Sequence, residues 1–211
     1  MFRHRLEPVF YFMSFILGRK IGMTQIFSED GAVTPVTLIE AGPITVTQIR
    51  TKEKDGYDAV QIGYGEEKKL NKPSAGHLKD IKPSKILRET KKLSDKKRGD
   101  ELDISIFSVG DTVKVSGLSK GRGFQGAVKR HGFHGMPASH GHHHVLRHVG
   151  SIGQRFPQHT LKGTRMAGRM GGVRVTTRGL KIMNIDKENN LLTLKGAVPG
   201  RRGTLLEIQK I

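Results

Sequence analysis

Residues 111–126 read DTVKVSGLSKGRGFQG, and the change of composition within this stretch determines how the chain is organised. Asp111–Ser116 alternates β-branched with polar residues, which predicts a β-strand. Beyond Ser116, glycine and basic residues dominate, and no Asp or Glu occurs before Asp186. The stretch therefore indicates a boundary between an ordinary β domain and a segment of different chemistry.

The acid-free segment, residues 112–185, carries 13 of the 18 excess positive charges of this 211-residue chain. Residues 1–111 have a net charge of only +3, and residues 186–211 of +2. A polyanion must neutralise such a charge in a compact state, and nucleic acid is the commonest partner of this kind. A membrane surface would require a basic amphipathic helix, and the sequence contains none of sufficient length, so no membrane partner is expected.

The sequence on either side of the acid-free segment predicts a mainly β fold. Turn residues such as Asp30-Gly31 and Asp55-Gly56 separate short runs of β-branched residues. The predicted strands are residues 34–39, 45–49, 59–62, 111–116, 173–177, 181–185 and 191–195. Short strands at close spacing are typical of a closed or partly closed barrel.

Two parts of the chain depart from this pattern. Lys72–Arg98 is rich in lysine and contains two prolines, with a short helix predicted at Ser84–Leu93. We interpret it as a small inserted basic subdomain, whose charges either contact RNA or are simply solvated. Residues 1–14 loosely resemble a secretory signal, but Glu7 and Pro8 interrupt it and no cleavage site follows. They are predicted to be a dispensable extension or a misassigned start, with Met13 as the true initiator.

The core of the acid-free segment is unsuited to folding alone. Gly117–Gly172 contains 13 glycines in 56 residues, and its apolar residues have no sustained period. Such a stretch buries too little surface to offset chain entropy, so it is either disordered or ordered by a partner. A bare glycine backbone lies close to phosphates, and Arg and Lys add charge-assisted hydrogen bonds. Because predicted strands flank it on both sides, we expect a looped probe with tethered ends.

Gly121–Gly126 matches the G-x-G-x-x-G pattern of dinucleotide-binding proteins. The pattern requires an apolar helix after the glycines and an acid about 20 residues further on. Ala127–His134 does not predict a convincing helix, and the acid is absent. A dinucleotide cofactor is therefore not expected, although a nucleotide-dependent oxidoreductase remains the enzyme alternative.

Eight of the ten histidines lie between His131 and His159. The chain has no Cys, and no carboxylate lies near these histidines to complete a metal site. Hydrogen bonding and stacking against RNA is the favoured interpretation over metal binding. Ser139 beside His140, and Ser151 near His148, lack both a nucleophile elbow and an orienting acid. No catalytic residue, metal site or cofactor is therefore predicted.

Several motifs, taken in order, make the chain similar to a known family. They are ILGRKIGMTQIF at Ile16–Phe27, GLSKGRGFQG at Gly117–Gly126, SHG at Ser139–Gly141, GSIGQ at Gly150–Gln154, KGTRMAG at Lys162–Gly168 and LLTLKGAVPG at Leu191–Gly200. With them the chain resembles the universal large-subunit ribosomal protein L3 family, in its bacterial or organellar form. The resemblance extends from about Phe15 to Ile211, although the His-rich stretch His140–His148 departs from familiar members.

The resemblance implies a six-stranded translation-protein-type barrel with a long extension toward the peptidyl-transferase centre. It implies a structural protein of the large ribosomal subunit, cytoplasmic or in an organelle, that binds rRNA near its 3′ end early in assembly. Ribosomal proteins L14 and L19 are the implied neighbours. Gln154 matches a glutamine that a glutamine methyltransferase converts to N5-methylglutamine in some bacterial members.

These inferences predict the domain boundaries of the chain and the residues that bind RNA. The barrel is expected from residues 15–70, 99–118 and 173–211, the inserted subdomain from 71–98, and the RNA-penetrating loop from 119–172. The predicted RNA-binding residues are Lys120, Arg122, Lys129, Arg130, His131, Arg147, Arg155, Lys162, Arg165, Arg169 and Arg174. The alternative binding function is a free nucleic-acid chaperone that acts outside any stable particle.

Overall fold

The computed structural model describes residues 14–28, 30–91 and 96–211 of the chain. The predicted N-terminal extension therefore lies, apart from Ser14, outside the described residues. Within them the strands are β1 Phe15–Phe27, β2 Val33–Ala41, β3 Ile44–Arg50, β4 Ala59–Glu66, β5 Ser84–Lys91, β6 Glu101–Leu102, β7 Thr112–Leu118, β8 Gly123–Gln125, β9 Gly168–Met170, β10 Arg174–Asp186, β11 Leu191–Lys195 and β12 Leu205–Lys210. The helices are α1 Lys52–Asp55, α2 Lys72–His77 and α3 Ala127–His131, with one 3-10 turn at Ile104–Ile106.

Six strands close into a barrel, in the order β1-β12-β7-β10-β11-β2. The ring closes because β1 pairs with β12 through residues 15–19 and with β2 through residues 18–27. Every pairing in the ring is antiparallel. The expectation of a mainly β chain with six strands in a ring is confirmed.

Alternation along the strands places the barrel core. Leu206 and Ile208 in β12 are fully buried, and so are Val113 and Val115 in β7. Successive side chains of a strand point to opposite faces, so residues two apart enter the same interior. The short β-branched and leucine-rich runs of the sequence thus produce both the strands and their buried face.

A second sheet of order β5-β4-β3-β6 shares this core with the barrel. The predicted strands at residues 45–49 and 59–62 exist, but they belong to this sheet and not to the ring. Their side chains Ile44, Val46, Val60 and Ile62 are fully buried. The alternation of these runs predicts strands equally well in either sheet, so their sheet membership depends on pairing that the sequence does not display.

Three local predictions are wrong. The helix predicted at Ser84–Leu93 is the strand Ser84–Lys91, because seven of its residues pair with β4 and outweigh local helix propensity. Lys92 and Leu93 lie outside the described residues. The two strands predicted at residues 173–177 and 181–185 are one strand, β10, with a register shift between Thr177 and Leu180. Finally, α3 follows the glycine motif, where no helix was predicted.

An ion pair joins Asp111, just before β7, to Lys210, at the end of β12. This ion pair is expected to make the stability of the fold depend on pH. Lys210 Nζ lies 2.6 Å from Asp111 Oδ1, and this hydrogen bond lowers the pKa of Asp111 below its ordinary value. Because folding lowers this pKa, the ionised carboxylate stabilises the fold when the pH is above the ordinary pKa of an aspartate. That contribution is lost as the pH falls through the lowered pKa of the folded state. We expect Asp111→Asn to reduce the free energy of unfolding at neutral pH but not at strongly acid pH. Urea titrations of both proteins across this pH range test it; a difference that is constant with pH would contradict it.

The chain forms two compact units. One unit contains residues up to Leu118 together with Arg174–Ile211, and the other is Ser119–Val173. Leu118 and Arg174, the residues that border the second unit, are register partners in β7 and β10. No helix within the described ranges is long and apolar enough to cross a membrane.

Candidate nucleic-acid interface

The glycine-rich unit, Ser119–Val173, is the part of the chain in which most of the predicted binding residues lie. It contains no Asp or Glu. Its first and last residues are held together, since Ser119 N donates to Val173 O at 2.9 Å and Val173 N donates to Ser119 Oγ at 3.3 Å. The unit therefore begins and ends at one backbone junction.

A two-stranded ribbon follows this junction. β8 pairs with β9, with Phe124 opposite Arg169, and Arg122 N donates to Met170 O at 2.9 Å. Gly171 completes the ribbon at φ +74°, and a Cβ at this position would overlap the carbonyl of Lys120. Glycine is thus required at Gly171 by conformation and by space together.

Gly171→Ala is expected to open the ribbon, because it adds a clash with the Lys120 carbonyl to the strain of a positive φ. Hydrogen–deuterium exchange of the amides of Arg122 and residues 168–170 should accelerate by at least about tenfold. The matched control is Gly163→Ala, at φ +86° with no atom within 4 Å of the added Cβ. Equal exchange rates in the two variants would show that the close approach at Gly171 has no structural importance.

The short helix α3 is fastened to the segment just before β9. Arg130 Nη1 donates to Met166 O at 2.7 Å, and His131 Nε2 lies 3.1 Å from the same oxygen. A carbonyl only accepts hydrogen bonds, so this contact requires the tautomer of His131 with a proton on Nε2. A Cβ on Gly168 would lie 2.7 Å from Arg130 Nη1, so the absent side chain makes room for the guanidinium. Arg130 and His131 thus hold the unit together from within.

The other predicted cations are presented to solvent. Those with exposed side chains are Lys120, Arg122, Lys129, Arg147, Arg155, Lys162, Arg165, Arg169 and Arg174. Arg174 belongs to β10, where its guanidinium pairs with Glu207. Arg155 lies over the ring of Phe156, 5.5 Å from the ring centroid. In the part of the chain that the structure describes, no cation of the glycine-rich unit forms an ion pair.

The histidines of this unit line more than one site. His142 and His148 line one cavity, whereas His159 lies beside Gln154 in a separate cleft. No group of three or more potential metal ligands occurs among the described residues. The hydroxyl of Ser151, which the sequence places near His148, donates to the carbonyl of Gly153 at 2.8 Å. Gln154 itself is exposed.

Two exposed aromatic residues were missed by reasoning from the sequence. Phe124 is 77% exposed and Phe156 is 64% exposed, although aromatic rings are normally buried. The low aromatic content of the chain argued against base stacking as the dominant contact. The available signal was local, since each ring lies within two residues of an arginine, Arg122 or Arg155. An exposed ring beside an arginine is an arrangement on which RNA-binding proteins stack a base while the guanidinium contacts a phosphate.

A second basic feature lies on the barrel unit. Lys20 in β1 is 9% exposed, and its Nζ donates to the carbonyls of Val198 and Gly200 at 3.0 and 3.2 Å. These bonds fix the turn that presents Arg201 and Arg202, which are both exposed. Its sequence signal is PGRRG at residues 199–203, which lies outside the acid-free segment that carries most of the excess charge.

Comparison with known proteins relates the chain to one family. The family model for Ribosomal protein L3 matches residues 86–193. The large ribosomal subunit protein uL3 of Roseiflexus sp. (strain RS-1) is 53% identical over 203 residues, which cover 92% of this chain and 96% of that protein. The protein of the same name from Heliobacterium modesticaldum is 50% identical over 198 residues, with 90% and 94% covered. That from Carboxydothermus hydrogenoformans is 48% identical over 201 residues, with 92% and 96% covered.

Proposed function

Because this chain belongs to the ribosomal protein L3 family, we propose that it is a structural constituent of the large ribosomal subunit that binds rRNA. The observation that carries the proposal is the glycine-rich unit, which combines exposed cations with a complete absence of acids. The name that its relatives share, large ribosomal subunit protein, agrees with this role. The proposed role is non-catalytic and needs no cofactor.

Phosphate contacts supply the affinity in this proposal. Lys120, Arg122, Arg147 and Arg165 are exposed, and no carboxylate within their own unit competes for them. Free guanidinium and ammonium groups form short charge-assisted hydrogen bonds with phosphate oxygens and release condensed counterions. Arg130 and His131 serve the same site differently, since they fix α3 against Met166 and so hold neighbouring cations in place.

The resemblance supports finer proposals about position in the particle. The closed ring of six strands agrees with a translation-protein-type barrel, and residues 119–172 form the extension that enters rRNA toward the peptidyl-transferase centre. Binding near the 3′ end of the rRNA early in assembly, beside ribosomal proteins L14 and L19, completes this proposal. The site of action is then the cytoplasmic large subunit.

Gln154 is proposed as a site of N5-methylation by a glutamine methyltransferase. Its side chain is exposed within a cleft lined by Ser151, Gln158 and His159, so the amide nitrogen is accessible. Mass spectrometry of the peptide that contains Gln154 tests this. The peptide should carry one added methyl group on Gln154 when the protein is purified from its own ribosomes.

Sedimentation of a cell lysate through a sucrose gradient tests the main proposal. The protein should co-migrate with the large subunit and remain bound at salt concentrations that strip loosely associated proteins. Recovery of the protein only in the slow fractions, bound to assorted RNA, would instead favour the free nucleic-acid chaperone. Saturable binding of a dinucleotide at millimolar concentration would favour the oxidoreductase alternative.

A further inference from the structure

A cavity of about 620 Å³, largely open to solvent on one side, lies within the glycine-rich unit and is not explained by phosphate binding alone. Its volume falls in the range of about 300–1,000 Å³ that is usual for sites that bind a small organic group. The cavity is lined by Gly126, Ala127, Met136, His142, Val145, Arg147, His148, Val149, Gly150 and Ala167. These residues come from the start of α3, from the segment 136–150 and from the residue just before β9.

The cavity is built by backbone contacts that fold the segment 135–150 on itself. Met136 N donates to Leu146 O at 3.0 Å, and His148 N donates to Val145 O at 3.0 Å. Gly135 makes the first contact possible, because it has φ +77° and a Cβ there would overlap the carbonyl of Leu146. The part of the lining that this segment supplies is therefore held in shape by backbone contacts.

The lining separates into an apolar part and a polar part. Ala127, Met136, Val145, Val149 and Ala167 supply apolar surface, and Ala127 is only 2% exposed. The polar part consists of His142, Arg147 and His148, and it contains no acid. Apolar walls accept a flat uncharged ring, imidazoles hydrogen-bond or stack with it, and a guanidinium holds an attached phosphate.

We propose that this cavity receives a single unpaired nucleobase of the RNA, with Arg147 on the phosphate of the same nucleotide. Sequence-specific RNA recognition commonly takes place on splayed-out bases of loops and bulges, which stack on side chains. An anionic nucleotide also complements a unit that has no acidic residue. The proposal rests on the proposed function and adds to it a base-specific contact.

The proposal divides the His-rich stretch into two groups. His142 and His148 line the cavity and act on the base, whereas His140, His143 and His144 lie outside the lining. This division provides a matched comparison, since His143 is exposed and differs from His148 only in its position. His148→Ala should therefore impair recognition of the base, and His143→Ala should not.

The experiment uses the full-length chain bound to large-subunit rRNA, with dimethyl sulfate and 2′-hydroxyl acylation as probes. Ala167→Phe fills the cavity from an exposed position, and Ala138→Phe adds the same ring outside it. In the wild-type complex, one nucleotide or a short run should be protected at its base edge. That protection should disappear in Ala167→Phe and His148→Ala but persist in Ala138→Phe and His143→Ala. The affinity for the rRNA should fall about tenfold in the two cavity variants, because each loses the stacking of one base.

The outcomes separate this proposal from the proposed function. If all five proteins give the same pattern of protected nucleotides, the cavity does not hold a base, and salt-dependent rRNA binding still stands. If the wild-type chain shows no salt-dependent binding to the rRNA, both proposals are overturned. If Ala167→Phe abolishes every protection, that variant has lost its fold, and His148→Ala alone then decides: loss of the local protection supports the cavity, and its persistence overturns it.

Discussion

Replacing Lys120, Arg122, Arg147 and Arg165 together with Ala is expected to flatten the salt dependence of rRNA binding by about 3, measured as the slope of log K against log salt concentration. Each lost phosphate contact removes about 0.7–0.9 from that slope, because fewer counterions are released on binding. At about 0.1 M salt, the same loss weakens binding by roughly a thousandfold. Filter binding at several salt concentrations measures both quantities.

The matched control removes four charges from the nearly neutral part of the chain. Lys52, Lys54, Lys68 and Lys69 are also exposed, so their replacement with Ala lowers the net charge equally. This control should change the slope by much less than the loss of a single phosphate contact does. Charges that do not touch the RNA act on it only through screened, long-range attraction. If the two quadruple variants show the same slope, affinity depends on net charge alone and the assigned contacts are wrong.

Ile208→Ala is expected to reduce the free energy of unfolding by about 2–5 kcal/mol. Ile208 is fully buried in β12, where it pairs with Ile16 of β1 and Val115 of β7. Its truncation removes apolar contacts and leaves a cavity between two strands of the ring, which relaxes only partly. Urea unfolding followed by circular dichroism measures the change.

Ile211→Ala provides the comparison for this variant. Ile211 is three residues further along and 57% exposed, so its truncation should change the unfolding free energy by less than about 0.5 kcal/mol. Comparable losses in the two variants would mean that the last strand does not close the barrel. In the RNA-binding assay, by contrast, both variants should bind like the wild type under native conditions, because neither residue belongs to the glycine-rich unit.

The parts of the fold that follow from local pattern could be predicted from the sequence. Leu191–Lys195 is a strand at the predicted bounds, and Thr112–Leu118 begins one residue after its predicted start. Period-two alternation of apolar residues determines a strand locally, so no distant contact is needed to recognise it. The number of strands in the ring was expected from the resemblance to the family and not from the local pattern.

The errors occurred where distant contacts decide the structure. Ser84–Lys91 contains Lys, Leu, Arg and Glu, which are good helix formers, and only its pairing with β4 makes it a strand. The helix Ala127–His131 has little helical pattern, and Arg130 and His131 fasten it to a carbonyl 35 residues away. Neither contact leaves a trace in the local sequence.

The candidate site was predictable in its charge but not in its architecture. An absence of acids can be counted from the sequence, and most of the cations of residues 119–173 are exposed in the structure. The cavity beside His148 depends on a backbone bond between Met136 and Leu146, ten residues apart in a segment without periodicity. Histidines at irregular spacing therefore appeared as one cluster, and the sequence did not indicate that His142 and His148 line the same cavity.

The junction at Ser119 and Val173 has a consequence for how the protein is made. The glycine-rich unit leaves the barrel from β7 and returns in β10, and the two strands are direct partners at Leu118 and Arg174. Closing a loop costs entropy that rises only logarithmically with its length, by about 0.6 kcal/mol for each doubling. The six strands can therefore close into a ring in the absence of RNA. Replacing residues 119–173 with a short hairpin turn should leave a barrel that still folds. Under the proposed function, RNA binding can then follow the folding of the barrel as a separate step.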